Sequence, residues 1–499
     1  MEENLNRSYS GKICEINGQK VDFRAEIYFD EYKEGVVTIY GITNEVIEKA
    51  KGNIHSSAVM LLESKEYISI FNYFVKQQTY TTEIIEDMPV VSGATLTIVS
   101  SEIIRGKKFF SVRDTFDEMI MEITDGYELI GKCPYDLNKG YMDIKMYKNI
   151  DIPIRVEPIY VKTIIGDFSF EAFPKYQQGK DCFSLGFRHQ IRFRPIESIT
   201  VDKFREILEK ITSFFSLLCG EAVTINKLLL NDAETVKCDS YEFIGFCNFP
   251  KEKLRALDNS GIDATSFKRI YLFKITDFGQ LEESMNYWFE HYNLLCNAQK
   301  TYNRILMDED LKILKIDKYL AAMQLVEGFT QAYVDEEKEL EEFEMRKENI
   351  ISKLEDEEDK ELVKNGLGFS GIAFRKALTK YLYEGITCLE EMSKTLFNKR
   401  YDSLITKIVN DRNFYTHTSR RMTAVLGFGE AMDIATICKE IYRIIILKKM
   451  GILPLLLKYR LAHNRIVAAL LKNIFEVEVS GEGELSGFDK AMWWFADEK

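Results

Sequence analysis

The sequence predicts an α+β multidomain protein: an antiparallel, sandwich-like β-rich N-terminal region followed by an all-α helical bundle. Three observations predict it. Up to about residue 200, short β-branched and aromatic runs alternate with Gly, Asn, Asp and Pro. From Asp310 to the tail only helix-period segments occur. At 499 residues the chain also exceeds the roughly 250 to 300 at which a single core stops growing, so more than one domain is expected.

The elements follow in order. The runs VDFRAEIYF, GVVTIYG, YISIFNYFV, ATLTIVS, IPIRVEPIYV and HQIRFRPI read as strands and make residues 1–200 a sandwich-like domain. Near Ile199 the pattern changes to FREILEKITSFFSLLCG, an apolar stripe at helical spacing, with Thr200 placed to cap it and Gly220 to stop it. Residues 201–305 continue this region with mixed helix and strand. Residues 306–475 form the bundle, from KYLAAMQLVEGFTQAYV through IAFRKALTKYLYEGITCLEEMSKTLF, YDSLITKIV and EAMDIATICKEIYRIIILKK to LPLLLKYRLAHNRIVAALLKNIF. The acidic stretch 335–362 reads as a solvated helix or charged insertion without chemistry. The tail, 476–499, ends in an aromatic cluster at Trp493 and Trp494, expected to pack on the parent chain or, alternatively, to dock on another subunit.

Hydrophobic content of 46% excludes a mostly disordered chain. The nine cysteines are scattered and never two residues apart, which signals neither a disulfide framework nor a zinc knuckle. No secretory signal opens the chain, and its greasiest stretch, from Ile441, is interrupted by Arg443, Lys448, Lys449 and Pro454. A cytoplasmic protein without membrane contact is expected. The net charge of −13 opposes general coating of nucleic acid, so any RNA contact must be local.

The string VNDRNFYTHTSRR, Val409 to Arg421, carries the candidate chemistry. RNA brings its own nucleophile, the 2′-hydroxyl beside the scissile phosphate, so a protein need only move protons and neutralise developing charge. Histidine titrates near neutrality and suits the first task, which points to His417. Arginine offers a planar fork of donors for the second, which points to Arg412. Asn413 can orient the histidine or bind phosphate. On a helix Asn413, His417 and Arg420 share one face, while Arg412 lies about 140° from His417. Asn410 and Asp411 are good capping residues and predict a break, with a new helix starting near Arg412.

Cleavage needs both a base and an acid, yet the helical half holds only His417 and His463. Two-fold assembly that pairs two Arg412 and two His417 in one cleft meets that need; His463 as second proton carrier is the alternative. Lys394, Lys399, Arg400, Lys407, Arg420 and Arg421 surround the string against only Asp402 and Asp411. Lys407, Arg420 and Arg421 are therefore expected to contact RNA, with Tyr415 stacking on a base. No metal ligands and no cofactor motif accompany them.

RNFYTH, Arg412 to His417, resembles the Arg-Asn-x3-His form of the HEPN ribonuclease signature, and it follows the helices KYLAAMQLVEGFTQAYV and FRKALTKYL as in that fold. With the β-rich region before it, the chain is similar to the ApeA family of bacterial anti-phage abortive-infection proteins. The resemblance implies a dimeric, metal-independent endoribonuclease toxin that leaves 2′,3′-cyclic phosphates, with Arg412 and His417 as the catalytic pair and Asn413 between them. It also implies an RNA substrate such as a tRNA anticodon loop, and a β-rich region that senses a phage-derived protein. The competing expectation is a non-catalytic HEPN scaffold that binds RNA or protein.

Other candidates read as structural. Gly366, Gly368 and Gly371 fit G-x-G-x-x-G but follow an acidic helical stretch rather than a strand, and Ser370 explains the loop as a helix start. His55, His189 and His291 have no Cys or acidic residue at metal-ligand spacing in the sequence and read as structural or exposed. Glu327, amid apolar residues, reads as hydrogen-bonded or exposed rather than catalytic.

Overall fold

The structure, a computed structural model, describes residues 8–29, 34–51, 56–85, 88–111, 113–124, 126–130, 157–178, 183–232, 241–244, 273–310, 315–333, 336–366, 373–417 and 424–479. Arg420, Arg421, Gly368, Ser370, Gly371, His55 and the tail with Trp493 and Trp494 lie outside these residues. The chain divides into two compact units, one built on the β-rich residues up to Arg269 and the other on the helices from Asp277.

The first unit contains β1 (Ser8–Ile16), β2 (Gln19–Phe29), β3 (Gly35–Ile42), helix α1 (Asn44–Lys51), β4 (Ser57–Leu62), β5 (Tyr67–Phe71), β6 (Phe74–Ile85), β7 (Met88–Ser100) and β8 (Glu102–Gly106). After the short β9 (Thr115–Phe116) come β10 (Glu118–Ile123), helix α2 (Gly126–Ile130), β11 (Ile159–Thr163), β12 (Gly166–Gln178), β13 (Phe183–Pro195), β14 (Ile199–Thr200), helix α3 (Val201–Cys219), β15 (Ile225–Asn231) and β16 (Tyr241–Ile244). Among the described residues fourteen strands share one hydrogen-bonded sheet in the order β11-β12-β13-β10-β15-β16-β8-β5-β4-β1-β2-β3-β7-β6, and β14 pairs with β9. Every pairing among the described residues is antiparallel, the arrangement that period-two alternation anticipates.

Alternation places Ile13, Ala25, Ile27, Val37, Ile39, Met60, Ile68, Ile70, Leu96 and Ile98 on a fully buried face. A second buried face collects Met119, Met121, Phe168, Phe170, Ile191 and Phe193, and α3 supplies rings to it: Phe215 meets Phe170 edge-on at 6.2 Å. Gly220 stops α3 with φ 73°, a left-handed conformation that costs glycine little, and its N–H donates to the Ser216 carbonyl at 2.8 Å. Thr200 occupies the N-cap position, but its side chain makes no capping hydrogen bond.

The second unit is helical: α4 (Leu281–Asp310), α5 (Lys315–Ala332), α6 (Glu336–Ile351), α7 (Glu357–Gly366), α8 (Phe374–Thr387), α9 (Lys394–His417), α10 (Phe428–Lys449), α11 (Pro454–His463) and α12 (Arg465–Phe475). Helix α5 packs along α4, α8 and α10. From Ile437 to Leu447 every residue of α10 is buried, including Lys439, Glu440 and Arg443. Glu440 pairs with both cations, at 3.4 and 3.3 Å, as buried charges require. Helices α8 and α10 approach closely because residue 385 is glycine: a Cβ there would stand 2.4 Å from Ile441 Cγ2. The acidic stretch forms α6 and α7, and α7 buries none of its residues. Gly366 ends a helix, not the strand that a dinucleotide loop would follow. Among the described residues no helix is long and apolar enough to cross a membrane.

Candidate functional site

Helix α9 buries Phe397, Tyr401, Ile405 and Ile408, one face at helical spacing, and Asp411 continues that face with no exposure. The helix runs unbroken through Asn410 and Asp411 to His417, so the break expected before Arg412 does not occur. The reason is the use to which Asp411 is put. Its carboxylate accepts from Val425 N at 2.6 Å and from Leu426 N at 3.2 and 3.1 Å. A buried carboxylate needs such donors, and these lie fourteen and fifteen residues on rather than at a new helix start. The chain returning toward α10 is thereby tied to the turn of α9 that carries Arg412.

Arg412, next along the helix, turns away from that face toward α5 and α8. Its Nη2 donates to Glu327 Oε1 at 2.7 Å, with 23% of the Arg412 side chain and 30% of the Glu327 side chain exposed. Its guanidinium carbon lies 5.2 Å from the centre of the Phe374 ring at the start of α8, a cation–π distance. A long contact of 3.4 Å joins Nη1 to Asn413 Oδ1. The fork is thus fixed at one end, while Nε–H and the remaining terminal N–H groups make no hydrogen bond to the described residues.

Tyr415 is half-buried, edge-on to Tyr319 of α5 at 6.1 Å and to Phe414 at 4.9 Å. Tyr319 braces α9 by donating its hydroxyl to the Ile408 carbonyl at 3.1 Å, and burial first, then the neighbouring Cys438, pushes that hydroxyl far above the usual tyrosine range. It remains a donor at any physiological pH. His417 is the last residue of α9, four positions after Asn413 on the same helical face.

The expected basic surface is partly offset. Lys394, Lys399 and Lys407 are exposed on α9, but Arg400 pairs with Glu476, and Asp402 is bound by Arg375 at 2.6 Å. The other acidic residue in that count, Asp411, is turned inward. His463 sits on α11 with Nδ1–H donating to the Tyr459 carbonyl at 2.8 Å. Among the described residues no three His, Cys, Asp or Glu side chains group as metal ligands would.

Sequence reasoning read Glu327 as hydrogen-bonded or exposed without pairing it with Arg412, and it passed over Phe374. The available signal was physical: a lone carboxylate within AAMQLVEGF needs a charged partner, and partners of that kind were already singled out in RNFYTH.

Two protein families match the chain: ApeA N-terminal domain 1 over residues 8–288, and Apea-like HEPN over residues 320–453, a span that contains Glu327, Arg412, Asn413 and His417. No curated protein and no solved structure matches.

Proposed function

The chain belongs to the ApeA family, and from that premise we propose that it is a metal-independent endoribonuclease in which Arg412 and His417 carry the chemistry. A HEPN-type nuclease role in anti-phage defence is what this membership supports in general terms. The finer reading rests on one observation: the guanidinium of Arg412 is held at one end by Glu327 and across its face by Phe374, with donors to spare. A preorganised fork with free N–H groups suits the equatorial oxygens of a phosphate passing through a five-coordinate state.

In this reading the RNA 2′-hydroxyl attacks its own 3′-phosphate, and His417 gives a proton to the departing 5′-oxygen. The products are a 2′,3′-cyclic phosphate and a 5′-hydroxyl. Asn413, one turn before His417 and in contact with Arg412, orients the pair. A homodimer places two copies of the signature across a two-fold axis and forms the cleft that takes single-stranded RNA, a tRNA anticodon loop being a suitable shape. Lys407, Arg420 and Arg421 guide the phosphate backbone. Tyr415, with one edge against Tyr319, keeps a partly exposed ring for a base. The β-rich unit answers to a phage-derived protein trigger and keeps the helical unit at a low basal rate of cleavage until then.

The test is cleavage of total RNA by the full chain in EDTA. Arg412→Ala and His417→Ala are each expected to lose at least about 100-fold in rate, the typical effect of removing one transition-state donor or proton carrier, with unchanged circular dichroism. Cleavage undiminished in both variants would remove the site. A wild-type chain that binds RNA without cutting it would favour the scaffold reading.

A further inference from the structure

We propose that Glu327 is the general base of this site, taking the proton from the attacking 2′-hydroxyl within the same subunit. The inference rests on the ribonuclease reading above and supplies what that reading lacks, a proton acceptor to set against His417 as donor. Three observations carry it.

First, Glu327 is engaged on one side only. Oε1 accepts from Arg412 Nη2 at 2.7 Å, whereas Oε2 accepts no hydrogen bond from the described residues, and 30% of the side chain is exposed. A carboxylate oxygen without a protein donor is free to accept a proton. Here one oxygen is anchored and the other is left to the solvent side, where substrate arrives.

Second, the anchor is the residue that would bind the phosphate. A 2′-hydroxyl is covalently adjacent to its own 3′-phosphate, so a phosphate gripped by the unused N–H groups of Arg412 brings that hydroxyl beside a carboxylate on the same guanidinium. Positioning of this kind is what makes proton transfer effective.

Third, the alternative carrier is engaged elsewhere among the described residues. His463 makes its contacts with Tyr459 on its own helix, not with Arg412, Asn413 or Glu327.

The step balances without a co-reactant. The 2′-O–H proton passes to Glu327, the 2′-oxygen forms its bond to phosphorus, the bond from phosphorus to the 5′-oxygen breaks, and the 5′-oxygen takes a proton from the His417 imidazolium. Exchange with water then returns both groups to their starting forms. The dimer is needed to shape the cleft and not to lend a second histidine.

Glutamine separates this role from mere positioning, because its amide oxygen can still accept from Arg412 yet cannot take a proton. The full chain, with Glu327→Gln, Glu327→Asp and Arg412→Ala variants, is assayed on a single-stranded mixed-sequence oligoribonucleotide in EDTA across a range of pH. Glu327→Gln is expected to lose about 100- to 10,000-fold in kcat, with RNA binding retained and the acidic limb of the rate profile gone. Glu327→Asp, which keeps a carboxylate, recovers part of that loss. A Gln variant within a few-fold of wild type, or a wild-type profile with no acidic limb, overturns the proposal while the loss in Arg412→Ala leaves the ribonuclease reading standing. Should the oligoribonucleotide survive the wild-type chain itself, both fall together.

Discussion

Glu118 in the β-rich unit and Glu327 in the helical unit are both carboxylates bound by arginine, and they are held in opposite ways. Glu118, on β10, receives Arg192 Nη1 and Arg194 Nε at 2.8 Å and Asn231 Nδ2 at 2.7 Å, with 12% of its side chain exposed. Both of its oxygens accept, and it cross-links three neighbouring strands. Glu327 holds one donor and keeps one oxygen open. Similar chemistry therefore serves two ends: saturation makes a carboxylate a strut, and incomplete satisfaction beside an oriented guanidinium makes it available to a substrate.

The widest separation between the two should appear in activity. Arg412→Lys keeps the charge but loses the planar fork that touches Glu327 and Phe374 together, and RNA cleavage is expected to fall by about 100-fold or more. Glu118→Gln should leave cleavage by the folded chain unchanged. Equal losses in the two variants would erase the distinction.

Stability should rank them the other way. Glu118→Ala removes the acceptor of Arg194 and Asn231 and the nearer of the two carboxylates on Arg192, and is expected to lower unfolding free energy by about 1–3 kcal/mol, measured by urea denaturation. Glu327→Ala breaks a partly exposed pair and should lower it by no more than about 1 kcal/mol.

The smallest effect is on pH dependence. Burial pushes the Glu118 carboxyl up, but hydrogen bonds from Arg192, Asn231 and Arg194 outweigh it and hold the group below the ordinary carboxylate range. Its contribution to stability is complete above the unfolded carboxylate range and is lost as pH falls through the lower folded value. Acid unfolding of Glu118→Gln should accordingly show a shallower slope than wild type, and an unchanged slope would mean that the network does not favour the ionised form.

Local pattern made much of this legible. Alternation located the strands that cross the buried faces and Gly220 marked the end of α3, whereas RNFYTH, expected at the start of a new helix, stands at the end of α9. Long-range pairing was not legible. Asn410 and Asp411 resemble caps when read locally, yet Asp411 is satisfied by backbone N–H groups fourteen and fifteen residues further on, so α9 continues. Glu327 and Arg412 stand 85 residues apart, and nothing in the spacing of either announces the other. The basic patch was overcounted for the same reason, since Glu476 answers Arg400 from 76 residues away.

Attack by the RNA's own hydroxyl at Arg412 and His417 is reported most directly by the chemistry of the cut ends. RNA cleaved by the full chain in EDTA should carry 2′,3′-cyclic phosphate on one side and 5′-hydroxyl on the other, and His417→Ala should abolish both. Ends bearing 3′-hydroxyl and 5′-phosphate, or cleavage that stops in EDTA, would contradict it.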